Sequence, residues 1–108
     1  MNNKVFEFFK EISNIPRPSG KEEQIRNYIV NFAIERNLKY ISDKYNNVIV
    51  FKESTKGYEN NSSIILQSHM DMICNKTRDS NHNFNTDPLE LIEYEDYIKA
   101  NNTTLGAD

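Results

Sequence analysis

The sequence predicts an α/β chain: two helices followed by a mixed β-sheet with hairpins. Two observations carry the helices and one carries the sheet. Apolar residues recur at helical spacing twice in the first third of the chain. Short runs rich in Val, Ile, Tyr and Phe, separated by turn residues, fill the rest. Helices followed by strands of mixed kind imply a layered α/β or α+β architecture.

Val5, Phe8, Phe9 and Ile12 fall at i, i+3, i+4 and i+7, which predicts a first helix from about Asn3 to Ser13. Pro16 and Pro18, in "NIPRPSG", stop it and hold an extended connector. Ser19 and Glu22 form an S-x-x-E pattern, so a capping box is expected to open the second helix there. Its buried stripe is Ile25, Tyr28, Ile29, Phe32 and Ala33, and Asn37 suits a left-handed C-terminal residue. The aromatic residues Phe8, Phe9, Tyr28 and Phe32 therefore read as core.

"LKYI" and "NVIVFK", joined by "SDKYN", read as a β-hairpin. "STKGYENNSS" is a polar loop. "SIILQS" is a short, continuously apolar run, the pattern of a strand buried on both faces. "NKTRDSNHNFNTDP" reads as irregular. "LELIEY" and "YIKA" flank Glu95-Asp96 and read as a second hairpin, whose acidic residues alternate onto a solvated face.

Composition narrows the function. The chain has 108 residues, net charge −3, 37% hydrophobic and 27% charged residues. Four apolar clusters and a total of twelve Phe and Tyr residues argue against disorder. The basic residues are scattered, so neither nucleic acid nor an anionic membrane is an expected partner. No apolar run approaches the length of a spanning helix, and charge interrupts the N-terminus too early for a secretory signal. With one cysteine, Cys74, no internal disulfide can form, and a cytoplasmic location is expected. There is no G-x-S-x-G, no P-loop, no G-x-G-x-x-G and no paired C-x-x-C.

"LQSHMDM" stands out at residues 66–72. Ligand sites in α/β sheets lie beyond the carboxyl ends of strands, where His69 would sit. If extended geometry persists, His69 and Asp71 point to the same side. Asp71 can then accept a hydrogen bond from one imidazole nitrogen and leave the other for a metal. The triplet alone has a second reading, since most H-x-D sequences are surface polar residues. Asp108, in a Gly-Ala-Asp turn, is by itself ordinarily an Asx-type turn residue.

Taken in order, "IPRPSGKEEQIRNYIV", "LQSHMDMICNK", "HNFNTDP" and "TTLGAD" resemble the zinc-dependent metallopeptidases that include aminoacyl-histidine dipeptidase. That resemblance covers nearly the whole chain. It implies that His69 is a ligand of one zinc, that Asp71 orients His69, and that Asp108 bridges two zinc ions. It implies two Zn2+ per active site in the parent, with Co2+ or Mn2+ as admissible replacements. It further implies a small peptide substrate of the Xaa-His type and admits a homodimeric parent. His82 is expected to pack its loop, and Cys74 to be a half-buried thiol and not a nucleophile.

The chain departs from that family in length. Residues 1–108 are expected to be the N-terminal portion of a metallopeptidase catalytic domain. "TTLGAD" stops on a turn without a polar tail, and the general base, a further acidic ligand and a late histidine are expected downstream. The chain alone is then expected to be inactive. The rival expectation is a small non-enzymatic α/β interaction module, binding through an exposed sheet edge, or a truncated relic.

Overall fold

The computed structural model describes residues 3–108, and these divide into two compact units. One comprises the described part of Met1–Ile25 together with Met70–Asp108; the other is Arg26–His69. In order, the elements are α1 (Lys4–Ser13), α2 (Glu23–Glu35), β1 (Lys39–Ser42), β2 (Val48–Phe51), β3 (Leu91–Glu93) and β4 (Ile98–Ala100). The α/β reading holds, and both expected helices and both expected hairpins are present.

In the first unit, α1 opens on Asn3, whose extended backbone and side-chain oxygen cap the Phe6 N–H at 3.1 Å. Phe8, Phe9 and Ile12 are partly covered, as the helical spacing predicts, but Val5 is 73% exposed. Val5 lies in the first turn of α1, at one end of the apolar stripe. After α1 the chain is held by a Leu89 N–H bond to the Ser13 carbonyl at 2.9 Å. The unit's core is small: Ile25, Met72, Leu89 and Ala100, with two polar residues, Ser13 and Arg17, buried among them.

The second hairpin pairs Leu91 with Ala100, Ile92 with Lys99 and Glu93 with Ile98, antiparallel. Tyr94 and Tyr97 close it, their rings stacked 4.4 Å apart. Two isolated bridges complete the unit's pairing: Pro18 with Met72, parallel, and Lys76 with Thr103, antiparallel.

The capping box does not form. α2 begins at Glu23, and Ser19 lies in a turn that Gly20 permits at φ +84°. Glu22 accepts from the Gly20 N–H at 2.7 Å, while the Ser19 hydroxyl is drawn away to Asp71. Along α2 the predicted stripe is correct: Ile25 and Ala33 are buried, and Tyr28, Ile29 and Phe32 are partly covered.

The second unit begins within α2 and ends it as expected. Asn37 is left-handed at φ 53°; its N–H bonds the Ile34 carbonyl and the Leu38 N–H bonds that of Ala33, a Schellman ending. The first hairpin runs from Lys39 paired with Phe51 to Ser42 paired with Val48. Asp43 organises its loop, accepting from the Tyr45 and Asn47 N–H groups and the Asn47 side chain at 2.9–3.0 Å. Asn46 takes the left-handed position at φ 68°.

One expectation fails here. The "SIILQS" run is not a buried strand: no strand is assigned over 63–68, and Ile64, Ile65 and Leu66 are 84%, 89% and 93% exposed. The apolar pattern states what the segment favours, but among the described residues no strand pairs with it and little covers its side chains.

Candidate functional site

The arrangement around Asp71 is built from three separate stretches of the first unit. The connector after α1 supplies Arg17 and Ser19, the stretch after residue 69 supplies Asp71, and the C-terminal stretch supplies Gly106 and Asp108. Two neighbouring pairings align the last two. Thr104 N–H bonds the Asn75 carbonyl and Thr77 N–H the Asn102 carbonyl, both at 2.9 Å. The Thr104 hydroxyl also donates to the Ile73 carbonyl.

Arg17 is the centre of this arrangement. It is only 6% exposed. Its Nη1 donates to the Met70 and Asp71 carbonyls at 3.2 and 3.3 Å, and its Nη2 to the Gly106 carbonyl at 2.7 Å. Its own carbonyl accepts from the Met72 N–H at 3.0 Å. Burial pushes the proton affinity of the guanidinium down, and the charges of Asp108 and then Asp71 oppose that in part. An arginine stays protonated under such opposing pulls.

Gly106 accommodates this contact. Its φ is +66°, and a Cβ there would lie 2.7 Å from Arg17 Nη2 and 3.1 Å from Met72. No side chain fits at that position without displacing one of them.

The residues singled out in the sequence fall as follows. Asp71 is half-buried and its Oδ2 accepts from the Ser19 hydroxyl. Asp108 is exposed, and it shares with Asp71 the attraction of Arg17. His69 is exposed and is the last residue of the second unit, two positions before Asp71. Cys74 is half-buried, with its Sγ donating to the Met72 carbonyl at 3.5 Å. Burial pushes its thiol pKa up and Asp71 adds to that, against the pull of Arg17, so the thiol is a poor nucleophile at neutral pH. His82 packs its loop, as expected: its ring meets Phe84 edge-on at 4.6 Å, and it lines a polar recess with Asp79, Asp87 and Glu90.

The donor types suit zinc, since imidazole nitrogen and carboxylate oxygen are its usual protein ligands beside thiolate. The number does not close a shell: among the described residues, no three His, Cys, Asp or Glu side chains gather where they would hold an ion. Sequence reasoning missed Arg17 and Ser19. The available signal was "PRPSG", in which two prolines immobilise the backbone on either side of one arginine.

No protein-family model matches the chain. It is 38% identical over 104 residues to the cytosol non-specific dipeptidase of Escherichia coli strain K12, covering 96% of this chain and 21% of that protein. It also matches the crystal structure of aminoacylhistidine dipeptidase from Vibrio alginolyticus, with TM-score 0.91 and 38% identity, again over 96% of this chain and 21% of the other.

The chain is similar to one stretch of a dipeptidase. The resemblance read from its motifs therefore holds, and so does the α/β fold, which the Vibrio dipeptidase shares. The chain spans about a fifth of the length of the dipeptidases it matches. Among the described residues, no helix is long and apolar enough to cross a membrane.

Proposed function

We propose that this chain is the N-terminal portion of a cytoplasmic dipeptidase catalytic domain, and that the whole protein hydrolyses dipeptides with two zinc ions. The observation that supports this is the 38% identity and TM-score of 0.91 sustained along 96% of the chain.

In this reading His69 and Asp108 hold the metal, and Asp71 holds the His69 ring in the tautomer that leaves a nitrogen free for it. Asp108 would be the carboxylate shared between a pair of ions. A zinc pair, when bound, supplies a nucleophile from water at neutral pH and polarises the scissile carbonyl. The remaining ligands and the general base come from the part of the dipeptidase length that these residues do not span. Xaa-His dipeptides are the proposed substrates, although none of these residues reads a histidine side chain.

The test is an exchange. The matching fifth of the Escherichia coli dipeptidase is replaced by this chain, and metal content and turnover are measured on Xaa-His and other dipeptides. Turnover that disappears in His69→Ala and Asp108→Ala is the expected result. A folded exchange protein that keeps its metal and activity without His69 and Asp108 would overturn the assignment.

A further inference from the structure

We propose that Arg17 is a positioning residue, whose guanidinium holds the segment carrying the orienting Asp71 against the segment carrying the metal-binding Asp108. The inference rests on the metal-site reading above and deepens it.

Four observations support it. First, the grip is double-ended: Nη1 serves the carbonyls of Met70 and Asp71 while Nη2 serves that of Gly106, two residues before Asp108. Second, the backbone of Arg17 is itself tied to the first segment through the Met72 N–H and the Pro18–Met72 bridge. The guanidinium therefore projects from a fixed base, not from a free loop. Third, Gly106 leaves no room between the partners, since a Cβ would stand 2.7 Å from Nη2. Fourth, Ser19, two residues after Arg17 on the same connector, donates to the Asp71 carboxylate. One short connector thus sets both the backbone and the side chain of Asp71.

An arginine carries a cost here. Its Nε is buried with no hydrogen-bond partner. A buried donor without an acceptor is costly, and the carbonyl bonds of the two Nη groups offset that cost. A planar fork with several donors is pre-organised to span carbonyls on two segments at once. A lysine ammonium in the same place is a point charge on a flexible stem and holds them less rigidly.

The full chain is labelled for amide NMR and titrated with Mn2+, whose paramagnetism reports weak binding. In the unmodified chain the resonances around Asp71 and those around Asp108 are expected to broaden together. Arg17→Lys and Gly106→Ala are expected to uncouple them: broadening near Asp108 should require about tenfold more Mn2+, the lower end of what loss of a supporting contact costs a metal site. The hairpin resonances of β3 and β4 should stay dispersed. If Arg17→Lys loses that dispersion, Gly106→Ala, which keeps the arginine and adds one methyl, decides. Joint broadening unchanged in that variant would overturn the positioning role and leave the metal-site reading intact. Broadening of only one segment, or neither, in the unmodified chain would overturn the positioning role, while the metal-site reading is decided by the exchange dipeptidase.

Discussion

Arg17 Nη2 meets the Gly106 carbonyl at 2.7 Å across 89 residues of sequence. This contact joins the connector after α1 to the end of the chain, and each partner is specialised for it. Arg17→Met would leave the Met70, Asp71 and Gly106 carbonyls without their donor, at a cost of roughly 3 kcal/mol. Gly106→Ala would force a side chain into a left-handed position and against the guanidinium, costing about 1–3 kcal/mol. Both costs arise from one contact, so the double variant should be less destabilised than the two single losses added together. Urea midpoints of the four proteins check this; strictly additive losses would mean that the two residues act independently.

The pH dependence of folding should carry a contribution from Asp43. Its carboxyl is held below the ordinary carboxylate range, first by the Asn47 side chain and then by the Tyr45 and Asn47 N–H groups. A depressed folded-state pKa means that the folded chain holds its proton less tightly than the unfolded chain. The stabilisation is therefore full above the unfolded value of about 4 and is lost as pH falls through the lower folded value. Asp43→Asn should flatten the acid limb of a stability-versus-pH curve and leave the limb above about pH 5 unchanged in slope. An acid limb of the same steepness in the variant would assign the effect to other carboxylates.

The exposed run at Ile64, Ile65 and Leu66 should make the 108-residue chain associate with itself. Contiguous apolar surface without strand partners favours pairing with another chain. Ile49 and Phe51 of β2 add further exposed apolar surface in the same unit, at 56% and 42%. Sedimentation velocity over a range of concentrations should show a mass that rises with concentration. Ile65→Glu should lower it towards the monomer without lowering the melting temperature, because that side chain is already 89% exposed. A monomer at every concentration, with a cooperative melt, would oppose the prediction.

Local chemistry was legible in the sequence and nonlocal chemistry was not. Asn37 announced the end of α2 because a left-handed residue after an apolar stripe has few other uses. The Asp43–Asn47 loop was readable for the same reason, since the bonds that Asp43 makes there lie within four residues. Ser19 misled because its S-x-x-E pattern is a local signal, and a distant acceptor, Asp71, won the hydroxyl. The "SIILQS" run misled because burial depends on what stands beside a strand, which no window of sequence contains. Arg17 was passed over because its partners lie 53, 54 and 89 positions away. His69 and Asp71 were singled out by their two-residue spacing after an apolar run, while the roles given to them and to Asp108 came from motifs in order.

The three residues should fail differently, and in that difference lies the sharpest test of their roles. Taken alone, the chain should bind zinc weakly and should not hydrolyse dipeptides, because one histidine and one shared carboxylate cannot complete a tetrahedral shell. A nanomolar calorimetric site lost in His69→Ala would mean that other residues here, such as His82 or Cys74, complete it. In the exchange dipeptidase, Asp108→Ala should loosen both ions and take activity to near background. His69→Ala should weaken mainly one ion. Asp71→Ala removes only the group that aims the imidazole, so metal should stay while turnover falls about 10–100-fold. The Ser19 hydroxyl offers a fourth variant: Ser19→Ala frees the Asp71 carboxylate from its connector and should reproduce a weaker form of the Asp71→Ala loss. Metal content measured beside turnover separates these cases. If Asp71→Ala strips both ions while Asp108→Ala keeps two and stays active, the bridging and orienting roles belong to the opposite residues.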